Sequence, residues 1–129
     1  MKPSKWLSGY GMKVRDALGL HTWAITLEIV DQPNPENPNA DACCYPSFRY
    51  LSATVKFSTR IAHRRTDAMK ALVIHEFLHI VNAGKDLAVH NVMSQYVPVD
   101  HQEFAVCLVT DADEQMVTRL SYALLPLIG

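Results

Sequence analysis

Residues 75–79, His-Glu-Phe-Leu-His, place two imidazoles and a carboxylate inside the otherwise apolar run ALVIHEFLHIV. Histidines four apart share one face of a helix, with Cβ atoms about 5–6 Å apart. Two ring nitrogens at that separation can bind one divalent ion, and neutral imidazole is a common zinc ligand. Glu76 falls about 100° further round the helix, beside such an ion rather than on it. Zinc lowers the pKa of a bound water toward about 7 and polarises a carbonyl. A carboxylate next to that water can take its proton during attack and pass it to the leaving amine. The spacing therefore predicts His75 and His79 as ligands and Glu76 as general base. The same string also arises by chance, and a lone buried histidine is usually a satisfied core residue. Here three titratable groups share one apolar helix, and burying them unpartnered is costly. A shared ion would be the partner.

The helix has defensible ends. Thr66 is a good N-cap, Asp67 suits the first turn, and Gly84 can follow the last turn. Projection puts Val73, Phe77 and Ile80 opposite the histidines, where they should pack on a sheet. Upstream, Trp6, Tyr10, Val14 and Leu18 recur at helical spacing within residues 2–20, and Gly19 is a stop. HTWAITLEIV alternates, with Trp23, Ile25, Leu27 and Ile29 on one face of a strand. The proline- and asparagine-rich segment 31–41 is a loop. Two more strands are expected, about Ala42–Tyr45 and Ala53–Phe57, with Pro46 and Ser47 between them. Residues 85–99 read as irregular, with Pro98 barring a continuous helix. A helix should open near Asp100–Glu103, and another, or its continuation, at Asp111–Glu114. Strands first and helices last predict an α+β fold in one domain, residues 1–129.

The motif and its setting resemble the zincin metallopeptidases, which carry His-Glu-x-x-His on an active-site helix. The likeness is nearest to the small single-domain, gluzincin-like proteins of phages and prophages. It rests on the strand TWAITLEIV, the segment ADACCYPSFRYLSATVKFS, the helix AMKALVIHEFLHIVNAG and the late helix DEQMVTRLSYALLPLI. Only the helix motif is specific; the rest is a succession of element types across residues 21–128. The resemblance implies a zincin-like α+β fold, with a small mixed or antiparallel sheet packed on the motif helix and helices at the C-terminus. It implies a hydrolase with one Zn2+ per chain and a peptide or protein substrate. In zincins the strand before the active-site helix usually lies at the sheet edge and pairs with the substrate. Ala53, Thr54, Val55, Lys56 and Phe57 would then bind it by β-augmentation.

A catalytic zinc takes three protein ligands. Lys85 stands where the metzincin pattern needs a histidine, which excludes that subgroup. Glu114 is the first choice, because it sits three residues before Val117 in an inward stripe of Val117, Leu120, Leu124 and Ile128. A first-turn charge that suits the helix dipole explains the same glutamate almost as well; the likeness of DEQMVTRLSYAL to the family's late helix tips the choice. Glu103 is the alternative, nearer the spacing of the thermolysin-like subgroup, and His90 and His101 follow. Tyr96 is a candidate oxyanion donor.

The bulk composition excludes several classes. Hydrophobic residues make up 49% of 129 and charged residues 19%, a globular balance. A net charge of −1 gives no electrostatic case for nucleic acid or an anionic membrane. No apolar run is long enough for a membrane span, and no signal peptide is visible. Three cysteines, two of them adjacent, make a poor disulfide framework. A reducing cytoplasm fits, the host's if the chain is phage-encoded. Oligomeric state leaves no trace in the sequence. Two other functions compete with the peptidase. One is a catalytically inactive, metal-stabilised binding or regulatory module on the same fold; the other is a structural domain with a chance motif. With 129 residues no second lobe walls a cleft, which favours a narrow substrate range.

Overall fold

The computed structural model describes all residues, 1–129. The chain runs α1 (Lys5–Ala17), β1 (Ala24–Val30), β2 (Ala42–Ser47), β3 (Ser52–Ser58), α2 (Asp67–Val81), α3 (Ala83–Tyr96) and α4 (Val99–Ile128). This is an α+β fold of four helices and one three-stranded mixed sheet. The strand order is β1-β3-β2, with β1 parallel and β2 antiparallel to the central β3. No helix is long and apolar enough to cross a membrane.

Alternation decides which face of the sheet is covered. Ala53, Val55 and Phe57 of β3 are buried, and Ile25, Leu27 and Ile29 of β1 pack with them. Leu7, Tyr10 and Val14 of α1 and Val73, Phe77 and Ile80 of α2 join the same core cluster. The expected sheet-facing stripe of α2 is thus the observed one. Thr66 caps α2 as expected, its Oγ1 accepting from the Met69 N–H at 3.2 Å. Gly11 lets α1 approach closely, since a Cβ there would lie 3.1 Å from Leu27 Cδ1 and 3.6 Å from Phe77.

Four expectations need correction. Residues 85–99 are mostly helix, not irregular chain. Helix α3 buries only Ala83 fully, so it never needed the apolar period that marks a packed helix. Gly84 does not terminate α2. It lies in the first turn of α3, where a Cβ would come within 2.8 Å of the Phe48 ring, so its lack of a side chain lets the β2–β3 turn dock. Strand β2 continues through Pro46 and Ser47. Lastly, Leu120 is not in the inward stripe: Ser121, four residues after Val117, is buried in its place, as the 3.6-residue turn requires.

The strand assigned to the substrate is also corrected. β3 is hydrogen-bonded on both sides, to β1 and to β2, and its alternate side chains are buried under the helices. Ala53, Thr54, Val55, Lys56 and Phe57 therefore have no free edge to offer a peptide. The open edges are β1 and β2. The Ser58 N–H donates to the Asp41 carbonyl across the β2–β3 ladder. Directly opposite antiparallel pairs alternate between bonded and unbonded, so Ala42, Cys44 and Pro46 turn their backbone groups outward. Pro46 is tolerated in β2 for that reason, because its missing donor faces away from the sheet.

Candidate metal centre

Helix α2 delivers three of the candidate residues in two turns. His75 and His79 share a face, their ring centroids 5.0 Å apart. Glu76 points aside and is buried, 6% exposed. The fourth comes from α4, which lies antiparallel in sequence order across the histidine face, with Val117 fully buried and Leu124 and Ile128 against the core. One turn before Val117, Glu114 reaches both rings. Its Oε2 lies 3.2 Å from His75 Nε2 and its Oε1 2.9 Å from His79 Nε2.

These three residues can present one ligand atom each with all three atoms within 4.8 Å of one another. Ligands on a common tetrahedral zinc, each about 2.0–2.2 Å from it, stand about 3.4 Å apart. The observed separations of Glu114 from the imidazoles are close to that. Two imidazoles and a carboxylate are also the right donor chemistry for zinc, so the residues fit the ion. Glu103 is not brought to them: it lies eleven residues before Glu114 on the same helix, about 16 Å along the axis, and is exposed. His101 and Tyr96 are exposed near the α3–α4 turn. His90 lines a hollow next to His79 and Glu114 but is outside the three-residue cluster.

The electrostatics suit ligation. Burial lowers the pKa of His75, with His79 adding to the shift and the Glu114 carboxylate opposing it. The shift favours the neutral ring, the form that binds metal. Burial raises Glu76 to about 8, with repulsion from Glu114 as the second cause. Without a cation this carboxyl keeps its proton at neutral pH. Cys44 of β2 sits near enough for the Glu76 charge to add to the effect of burial, and its thiol is pushed strongly upward.

One neighbour of the cluster was missed in the sequence. Thr118 Oγ1 lies 3.5 Å from His75 Nδ1, so α4 meets both nitrogens of this ring, Glu114 at one and Thr118 at the other. Ser121 in turn donates to the Thr118 carbonyl at 2.7 Å. The available signal was the spacing: Thr118 is one turn after Glu114 on the same helix face. Compared with known proteins, the chain matches no family, no curated protein and no solved structure.

Proposed function

We propose that this chain is a zinc-dependent peptidase of zincin type, in which His75, His79 and Glu114 hold the ion and Glu76 is the general base. The meeting of Glu114 with both imidazoles carries the reading, because a separate helix supplies the third donor that the motif lacks. A bound zinc would supply Lewis-acid activation of water and of the scissile carbonyl. The remaining work falls to the chain's own groups. With a metal held at His75 Nε2, the ring proton would sit on Nδ1, 3.5 Å from Thr118 Oγ1, which can accept it. Glu76 takes a proton from the attacking water at a carboxylate oxygen and returns it to the leaving amine nitrogen. Burial strengthens its hold on that proton. Of the two open edges, that of β2, at Ala42, Cys44 and the Pro46 carbonyl, is the one beside Glu76 and the one offered to an extended peptide.

A metal-stabilised binding module needs the three ligands but has no use for a buried carboxylate beside them, so Glu76 favours catalysis. The purified protein should hold about one zinc per chain; a metal-free protein of equal stability would remove the centre from the reading. Glu76→Gln should keep its zinc and lose about 10²–10⁴-fold in peptide hydrolysis. Hydrolysis at the wild-type rate in that variant would show that Glu76 is not the base.

A further inference from the structure

Resting on the peptidase reading, the geometry points to a substrate class: the hollow between α3 and α4, beside His79 and Glu114, receives a lysine or arginine side chain, with Asp86 as its anionic anchor. The hollow has a volume of about 220 Å³. That is room enough for one long side chain. Val89 and Met93 of α3 and Val106 and Val109 of α4 form apolar walls, and Asp86 and Asp113 supply carboxylates. Apolar walls with carboxylates match the methylene stem and cationic head of a basic residue.

The charge is not already balanced. Lys85 serves both carboxylates, 2.6 Å from Asp113 Oδ1 and 3.2 Å from Asp86 Oδ1, and it does not line the hollow. Among these three side chains, one ammonium faces two carboxylates and leaves one of them unmatched. Asp86 Oδ1 is covered and paired with Lys85 at 3.2 Å, but the Asp86 side chain as a whole is 43% exposed, so its carboxylate stays within reach of the hollow it lines. Burial raises the pKa of Asp86, Lys85 opposes the shift, and Asp113 adds to it. An arriving cation would relieve that cost.

Position also favours a substrate side chain. A second hollow of about 420 Å³ lies beside the β2–β3 turn, at Pro46, Phe48 and the cationic Arg49, and shares Asp86 and His90 with the first. The two hollows therefore join the end of the open β2 edge to the metal centre. A peptide paired along β2 passes Asp86 as it leaves that edge.

The test has two arms. In the first, zinc-loaded protein with labelled methionine methyl groups is titrated with agmatine, a guanidinium and an ammonium joined by a four-carbon stem, and separately with hexanoate. Agmatine should shift the Met93 methyl resonance and hexanoate should not. Asp86→Asn should weaken the agmatine response about tenfold, the size of one charge-assisted hydrogen bond, and Lys85→Ala should strengthen it. No shift at Met93, or equal titrations in wild type and Asp86→Asn, would overturn the proposal. In the second arm, a peptide library is digested with zinc-loaded protein and the cut sites are read by mass spectrometry. Lysine and arginine should be enriched at one position beside the cut bond, and Asp86→Asn should lose that enrichment. Cleavage without a basic preference would also overturn the proposal. Absence of any cleavage would count against the peptidase reading, while the agmatine titration still decides the hollow.

Discussion

Helix α2 buries eight of its 15 residues, whereas α4, with 30 residues, fully buries only Val117 and Ser121. Yet the candidate centre takes groups from both. On α2 the histidines and Glu76 ride on a helix fixed by Val73, Phe77 and Ile80, so their positions follow from the core. Glu114 depends on the C-terminal half of α4, held by Val117, Leu124 and Ile128. Its N-terminal half has mainly α3 beside it and leaves Val99, Phe104 and Leu108 exposed. The contrast locates the seam: Glu114 sits where the anchored part of α4 gives way to the projecting part. A centre built across such a seam can be disturbed from either side, and each side should respond differently.

The largest effect should come from removing the α4 contribution. Glu114→Ala should weaken zinc binding by more than the ten- to hundredfold that an outer-shell partner is worth, while Glu103→Ala leaves it unchanged. Competition with a chromophoric chelator measures both, and equal retention would place the third ligand elsewhere.

On the α2 side, the buried carboxyl should make the metal-free protein sensitive to pH. Glu76 has a folded pKa of about 8, above its ordinary value of 4.5, so between those values the folded state binds more protons than the unfolded chain. Stability from this group is intact below about 4.5 and is lost as pH rises toward 8, by at most about 1.4 kcal/mol per pH unit. His75, with its pKa lowered, acts in the opposite sense, gaining stability as pH rises toward its ordinary 6.5. Denaturant unfolding of chelator-treated wild type and Glu76→Gln isolates the first contribution: the variant should not share the loss.

The anchoring itself can be compared within α4. Val117→Ala removes two buried methylene equivalents and should cost about 2 kcal/mol. Leu108→Ala, at a position 55% exposed, should change stability by less than about 0.5 kcal/mol. Similar losses at the two positions would mean that the projecting half is packed after all.

The smallest perturbation is chemical labelling. Cys107, exposed on the projecting half of α4, should alkylate quickly in the folded protein. Cys44, beside Glu76 with its thiol pKa raised by burial, should react only slowly. Peptide mapping after brief iodoacetamide treatment reads the ratio.

Much of this was legible beforehand where burial writes a period into the sequence. The α2 motif, its Thr66 cap and its sheet-facing stripe obey local rules, and so do the alternating strands β1 and β3. α3 was not legible, because a helix packed mainly on another partly exposed helix carries no strong apolar stripe; only Val89 and Met93, four apart, hinted at it. The choice of Leu120 over Ser121 failed because a small polar residue was placed at the tight contact. The order of the strands was also hidden. Alternation says which face of a strand is buried, not which neighbour it pairs with; the edge position expected for β3 came from the resemblance to zincins, and its pairing on both sides overturns it.

By itself the sequence determined the two histidines, the carboxylate beside them and the helix that aligns them, since residues four apart must share a helix face whatever the rest of the chain does. Only the tertiary structure decided that Glu114 rather than Glu103 meets those rings, that Thr118 reaches the far side of His75, and that β2 rather than β3 keeps an open edge. Glu114 is 35 residues beyond His79, and no local geometry spans that separation. It is closed by packing α4 across α2 through Val117, an interaction between surfaces rather than between neighbours in the chain.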